Sequence, residues 1–91
     1  MVSEIVERYK GERTIRKFTE DYNEGLPRHA TITHMTCQFW LQEVHKPDSF
    51  RMIELLRTVP KDDWRYKMAQ EVLEAGYPEV YADLPMMGLE A

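Results

Sequence analysis

The sequence predicts an all-α fold: a single small domain of four to five short helices with a short C-terminal extension. Two observations carry this. Apolar residues recur at intervals of three and four along most of the chain, the spacing of one helix face. Glycine or proline closes each such stretch, at Gly11, Gly25, Pro27, Pro47, Pro60, Gly76 and Pro85.

The first helix is expected from Ser3 to Lys10. Ser3 is a good cap, and Glu4 suits the positive end of the helix dipole. Val2, Ile5, Val6 and Tyr9 form its stripe. Ile15, Phe18 and Tyr22 form the next stripe. The two sets would point to nearly opposite sides of one continuous helix, so the break falls at Gly11. A second helix is expected from Glu12 to Asn23, followed by a loop over residues 24–31.

Residues 31–41 are ambiguous. Thr, Ile, Phe and Trp favour a strand, and Met35, Cys37, Phe39 and Leu41 alternate. No second segment offers a partner, and a lone strand cannot satisfy its backbone. A helix from Thr33 to Lys46 is therefore expected, as the central and most buried one. Asp48 or Ser49 caps the fourth helix, Phe50 to Thr58, with Phe50, Met52, Ile53, Leu55, Leu56 and Val59 available to the core. The fifth helix runs from Lys61 to Ala75, with Asp62 and Asp63 in its first turn and a stripe of Trp64, Met68 and Val72. Gly76 is expected in the left-handed position, with Tyr77 folding back on Val72. Residues 78–84 can form one more short helix. The domain is thus placed at residues 1–84, with a tail at 85–91 that is mobile unless it docks.

Composition narrows the function classes. The 91 residues carry a formal charge of −4, and 43% are hydrophobic. These are values of a folded soluble protein. The longest uncharged run, 30–42, is too short and polar to cross a membrane. With no apolar leader, a cytoplasmic location is the default expectation. Cys37 has no partner for an intramolecular disulfide.

His34, Cys37 and His45 would share one helix face, with His29 just upstream. Cys37 and His45 are separated by roughly 12 Å at the helical rise, so one ion cannot take both. Only His34 and Cys37 could share a metal, and the remaining ligands are missing. No metal or cofactor is expected. Cys37 sits beside Phe39, Trp40 and Leu41. That suggests burial, a raised thiol pKa and no nucleophilic role. The acid pairs Glu20/Asp21, Asp62/Asp63 and Glu71/Glu74 read as solvated or dipole residues. No enzymatic activity is expected. Trp40 and Trp64 read as core.

Charge is segregated. Residues 8–17 hold Arg8, Lys10, Arg13, Arg16 and Lys17 against Glu12 alone, an i, i+4 partner for Arg16. From Met68 onward Glu71, Glu74, Glu79, Asp83 and Glu90 face no base. Acids mixed with Tyr77, Val80, Tyr81, Met86 and Met87 suit a basic protein surface. The expected function is a small acidic protein-binding adaptor or inhibitor that modulates a larger partner, of which a phage-type inhibitor of a host enzyme is one form. Its expected docking residues are Tyr77, Val80, Tyr81, Asp83, Met86 and Met87. Opposite charge at the two ends also permits self-association. The alternative is a nucleic-acid-binding regulator using Arg8, Lys10, Arg13, Arg16 and Lys17. In a helix–turn–helix reading of residues 50–75, Asp62 and Asp63 would repel the duplex, and Arg65 and Lys67 do not outweigh them.

Overall fold

The computed structural model describes residues 1–89. Among them the chain forms α1 (Val2–Lys10), α2 (Ile15–Asn23), a 3₁₀ turn (Arg28–Ala30), α3 (His34–Leu41), α4 (Ser49–Thr58), α5 (Trp64–Gly76), α6 (Pro78–Asp83) and a second 3₁₀ turn (Leu84–Met87). The all-α expectation holds. There are six helices rather than four to five, because residues 78–83 form a helix of their own.

Side-chain caps set several helix starts. Thr14 accepts from the Lys17 amide, so α2 begins at Ile15 and not at Glu12. Glu12 is left outside the helix, and the expected Glu12–Arg16 pair is not among the ion pairs of the described residues. Thr33 accepts from the Thr36 amide and resolves the ambiguous segment as helix. Asp48 caps α4, and Asp63 caps α5 by accepting from the Arg65 amide. The α5 helix therefore starts at Trp64, three residues later than expected. Ser3 lies inside α1, not at its cap.

The α3 helix ends at Leu41, not Lys46. Val44 N–H donates to the Phe39 carbonyl at 3.0 Å and Glu43 N–H to the Trp40 carbonyl at 3.4 Å. This is a Schellman ending, with Glu43 in the left-handed position at φ 61°. Gly76, where that ending was expected, has no positive φ and closes α5 as a helical residue. Its lack of a side chain serves packing instead: a Cβ there would lie 2.9 Å from Val2 Cγ2. Glycine at that point lets the start of α1 lie against the end of α5.

The centre of the fold is α5, which packs against α4, α1 and α6. It buries Arg65, Tyr66, Met68, Ala69, Val72 and Leu73, whereas α3 buries only Cys37 and Trp40. The expectation that α3 is the most buried helix is thus corrected. The apolar residues of α3 do not all turn inward: Met35 projects into solvent, beside exposed His34 and Gln38. Phe50 was also expected in the core and is 82% exposed. It sits on the first turn of α4, two residues before the buried Met52 and so on nearly the opposite side of the helix.

Two polar anchors hold the loops. Asn23 pairs with Ile32 as one backbone pairs with another: its Nδ2 donates to the Ile32 carbonyl and its Oδ1 accepts from the Ile32 amide, each at 2.8 Å. Arg65 pairs with Asp63 through Nε (3.0 Å) and Nη2 (2.8 Å). Its Nη1 donates to the carbonyls of Tyr22 and Glu24, both at 2.7 Å. The start of α5 is thereby tied to the end of α2.

Candidate functional site

The acidic C-terminal segment divides into an inner and an outer face. Pro78 occupies the first turn of α6, where its missing amide hydrogen costs nothing. Leu84 is fully buried, and Tyr77, Val80 and Tyr81 are half-buried against the core. The Tyr77 hydroxyl donates to the Pro47 carbonyl at 2.8 Å, and its ring stacks under Lys46 Nζ at 4.4 Å. Burial raises the Tyr77 phenol pKa, with a further push from the Asp48 carboxylate. These residues fasten α6 to the domain.

Glu79, Ala82 and Asp83, at the i, i+3 and i+4 positions of α6, form its exposed outer face, and Met86 is exposed on the 3₁₀ turn that follows. Met86 is 86% exposed, and Met87 beside it is also exposed. Glu74 lies exposed on the adjoining end of α5. Glu74, Glu79 and Asp83 take part in no ion pair among the described residues. Glu79 and Asp83 stand one turn apart and repel, and Asp83 closes α6 at the end where the dipole disfavours an anion. Glu79 suits the first turn of α6, but Asp83 does not serve the stability of the helix it ends.

The second 3₁₀ turn holds the methionines in place. Leu89 N–H donates to the Leu84 carbonyl at 3.0 Å and Gly88 N–H to the Pro85 carbonyl at 3.1 Å, with Gly88 left-handed at φ 78°. This is a second Schellman ending, and Leu89 completes it by packing on the core that holds Leu84. The expected tail docks through Leu89; Glu90 and Ala91 lie outside the described residues. The structure leaves Asp83, Met86 and Met87 exposed and turns Tyr77, Val80 and Tyr81 largely inward. Glu74 and Glu79 are exposed as well, although neither is among the expected docking residues.

The basic stretch is spent largely on internal contacts. Arg8 Nη2 pairs with Glu71 Oε1 at 2.5 Å, and the same carboxylate accepts from the Tyr9 hydroxyl. Arg13 pairs with Asp21 at 2.9 Å, donates to the Lys10 and Tyr9 carbonyls, and lies over Trp64 and Phe18, each centroid at 5.0 Å. Lys17 pairs with Asp21 at 3.1 Å. Lys10 reaches the Gly11 carbonyl at 3.4 Å, and Arg16 is exposed. Arg13 is the residue whose role the spacing did not reveal: it joins α1, α2 and α5 at one point. Arg65, weighed in sequence as a contact to nucleic acid, is buried and fully engaged.

Cys37 is completely buried in the core, and burial raises its thiol pKa. His34 and His45 are exposed. Among the described residues no three His, Cys, Asp or Glu side chains stand close enough to hold a metal ion. No helix there is long and apolar enough to cross a membrane.

Fold and surface together define a small all-α protein with a segregated, unpaired acidic face. No protein-family model, curated protein or solved structure matches this chain.

Proposed function

We propose that the protein is a non-enzymatic adaptor or inhibitor that docks a larger protein on the outer face of α6. Glu79 and Asp83, with Glu74 beside them, steer a basic partner surface. Met86 and Met87 supply adaptable apolar contact. The observation that supports this most is the pair of unpaired carboxylates one turn apart, ending at an exposed methionine on a turn held by Leu84. Like charges in that position cost the isolated helix stability, and cations from a partner would offset the cost. The nucleic-acid reading has weaker support, because Arg8, Arg13 and Lys17 already hold carboxylates within the chain.

The test is affinity capture from the native lysate with wild-type protein and with the Glu79→Lys, Asp83→Lys, Met86→Ala variant. A protein retained by wild type and lost with the variant, at unchanged thermal stability, is the expected result. Equal retention by both removes α6 as the docking face. Nuclease-sensitive retention that Arg16→Glu abolishes would favour nucleic acid instead.

A further inference from the structure

A second surface stands apart from α6. The 3₁₀ turn at Arg28–Ala30 and the first turns of α4 border a groove of about 260 Å³ lined by His29, Ala30, Asp48, Phe50, Arg51 and Glu54. Phe50 is 82% exposed, although it belongs to a helix whose other large apolar residues turn inward. Leaving a Phe ring in water forgoes roughly 1.5–3 kcal/mol of burial, and it leaves the ring face open to contact.

The charges around the ring are unevenly committed. Arg51 is turned inward, with Nη1 donating to the Thr31 carbonyl at 3.2 Å. Asp48 Oδ1 accepts from the Arg51 amide at 2.8 Å as the α4 cap, while its Oδ2 lies 4.0 Å from the Arg51 guanidinium and the carboxylate is mostly exposed. Glu54 Oε1 meets only the imidazole of His29, at 3.2 Å, an ion pair only when the ring is protonated. Two carboxylates therefore face the groove, while its one guanidinium is held against the backbone. An aromatic face flanked by carboxylates has the chemistry that receives a cation.

We propose that this groove receives the lysine or arginine side chain of a partner polypeptide, with the cation over the Phe50 ring and paired to Glu54 and Asp48. The site does not depend on the α6 face, since it requires only that cation.

The direct test is an amide-resolved NMR titration of the protein with N-acetyl-arginine amide, and separately with N-acetyl-aspartate amide. The arginine probe should shift the amides of residues 28–31 and 48–54 saturably at millimolar concentration. Phe50→Ala and Glu54→Gln should each weaken it about three- to tenfold, and 0.5 M salt should weaken it further. Both positions are at or near the surface, so the variants should keep the wild-type spectrum elsewhere. No saturable shift at 50 mM arginine probe overturns the proposal. So does an equal response to the aspartate probe, which would assign the groove to Arg51, and so does undiminished binding by both variants.

Discussion

Arg65 Nη1 donates to the Tyr22 carbonyl at 2.7 Å across 43 positions of sequence, and this contact fastens the first turn of α5 to the end of α2. The same guanidinium is forked onto Asp63, the residue that caps its own helix. Burial makes the arrangement costly to disturb. Arg65→Ala would leave two carbonyls and the Asp63 carboxylate without their donor, and should destabilise the domain by about 2–4 kcal/mol. Urea unfolding monitored by circular dichroism measures it. A loss under 1 kcal/mol would mean the network carries little.

Acid should weaken the fold in a defined window. The Arg65 hydrogen bonds hold Asp63 below its ordinary value, and Tyr9 and Arg8 hold Glu71 down against a burial effect that acts the other way. A depressed carboxylate stabilises the native state above its unfolded pKa, and that stabilisation is lost as pH falls through the folded value. Thermal midpoints should therefore hold steady above about pH 5 and fall below about pH 4.5, less steeply in Asp63→Asn. On the alkaline side burial is the main cause raising Tyr9, to about 12, with Glu71 next. That contribution is present below the unfolded value near 10 and is lost as pH rises toward 12, so Tyr9→Phe should flatten the alkaline limb.

Two glycine exchanges should act in opposite directions. Glu43 occupies a left-handed position that glycine adopts without strain, so Glu43→Gly should stabilise by about 0.5–1 kcal/mol. Gly76→Ala would ordinarily favour a helix by up to about 1 kcal/mol. Here the new methyl would meet Val2 Cγ2, and a net loss of about 1–2 kcal/mol is expected. Denaturant midpoints of the two variants on opposite sides of wild type would bear this out.

The fully buried Tyr22 hydroxyl makes no hydrogen bond of ordinary geometry: the Arg51 guanidinium stands near it but donates to the Thr31 carbonyl. Tyr22→Phe should therefore be neutral, or stabilise by about 1 kcal/mol, since it removes an unmet polar group and keeps the ring. A loss above 1 kcal/mol in the same unfolding measurement would show that the hydroxyl is satisfied in solution.

The helical pattern was legible because apolar spacing and chain-breaking residues are local signals. Gly11 ends α1 as expected, and segment 31–41 is helical because Thr33 caps it. What was not legible depended on tertiary contact. Gly76 reads as a turn residue in sequence but serves a close approach by Val2, while the turns it was expected to make belong to Glu43 and Gly88. Phe50 fits an apolar stripe yet lies outside it. Arg13 and Arg65 read as surface cations, and only the folded chain brings Asp21, Trp64 and Tyr22 to meet them. Of the expected docking residues, spacing alone could not separate inward Tyr77, Val80 and Tyr81 from outward Asp83 and Met86.

The docking claim is tested most directly by hydrogen exchange on the protein alone and bound to the partner captured by wild type. The account predicts new protection over residues 78–88, with none over residues 8–17. Protection confined to residues 8–17, or none at 78–88 in a stoichiometric complex, would contradict it.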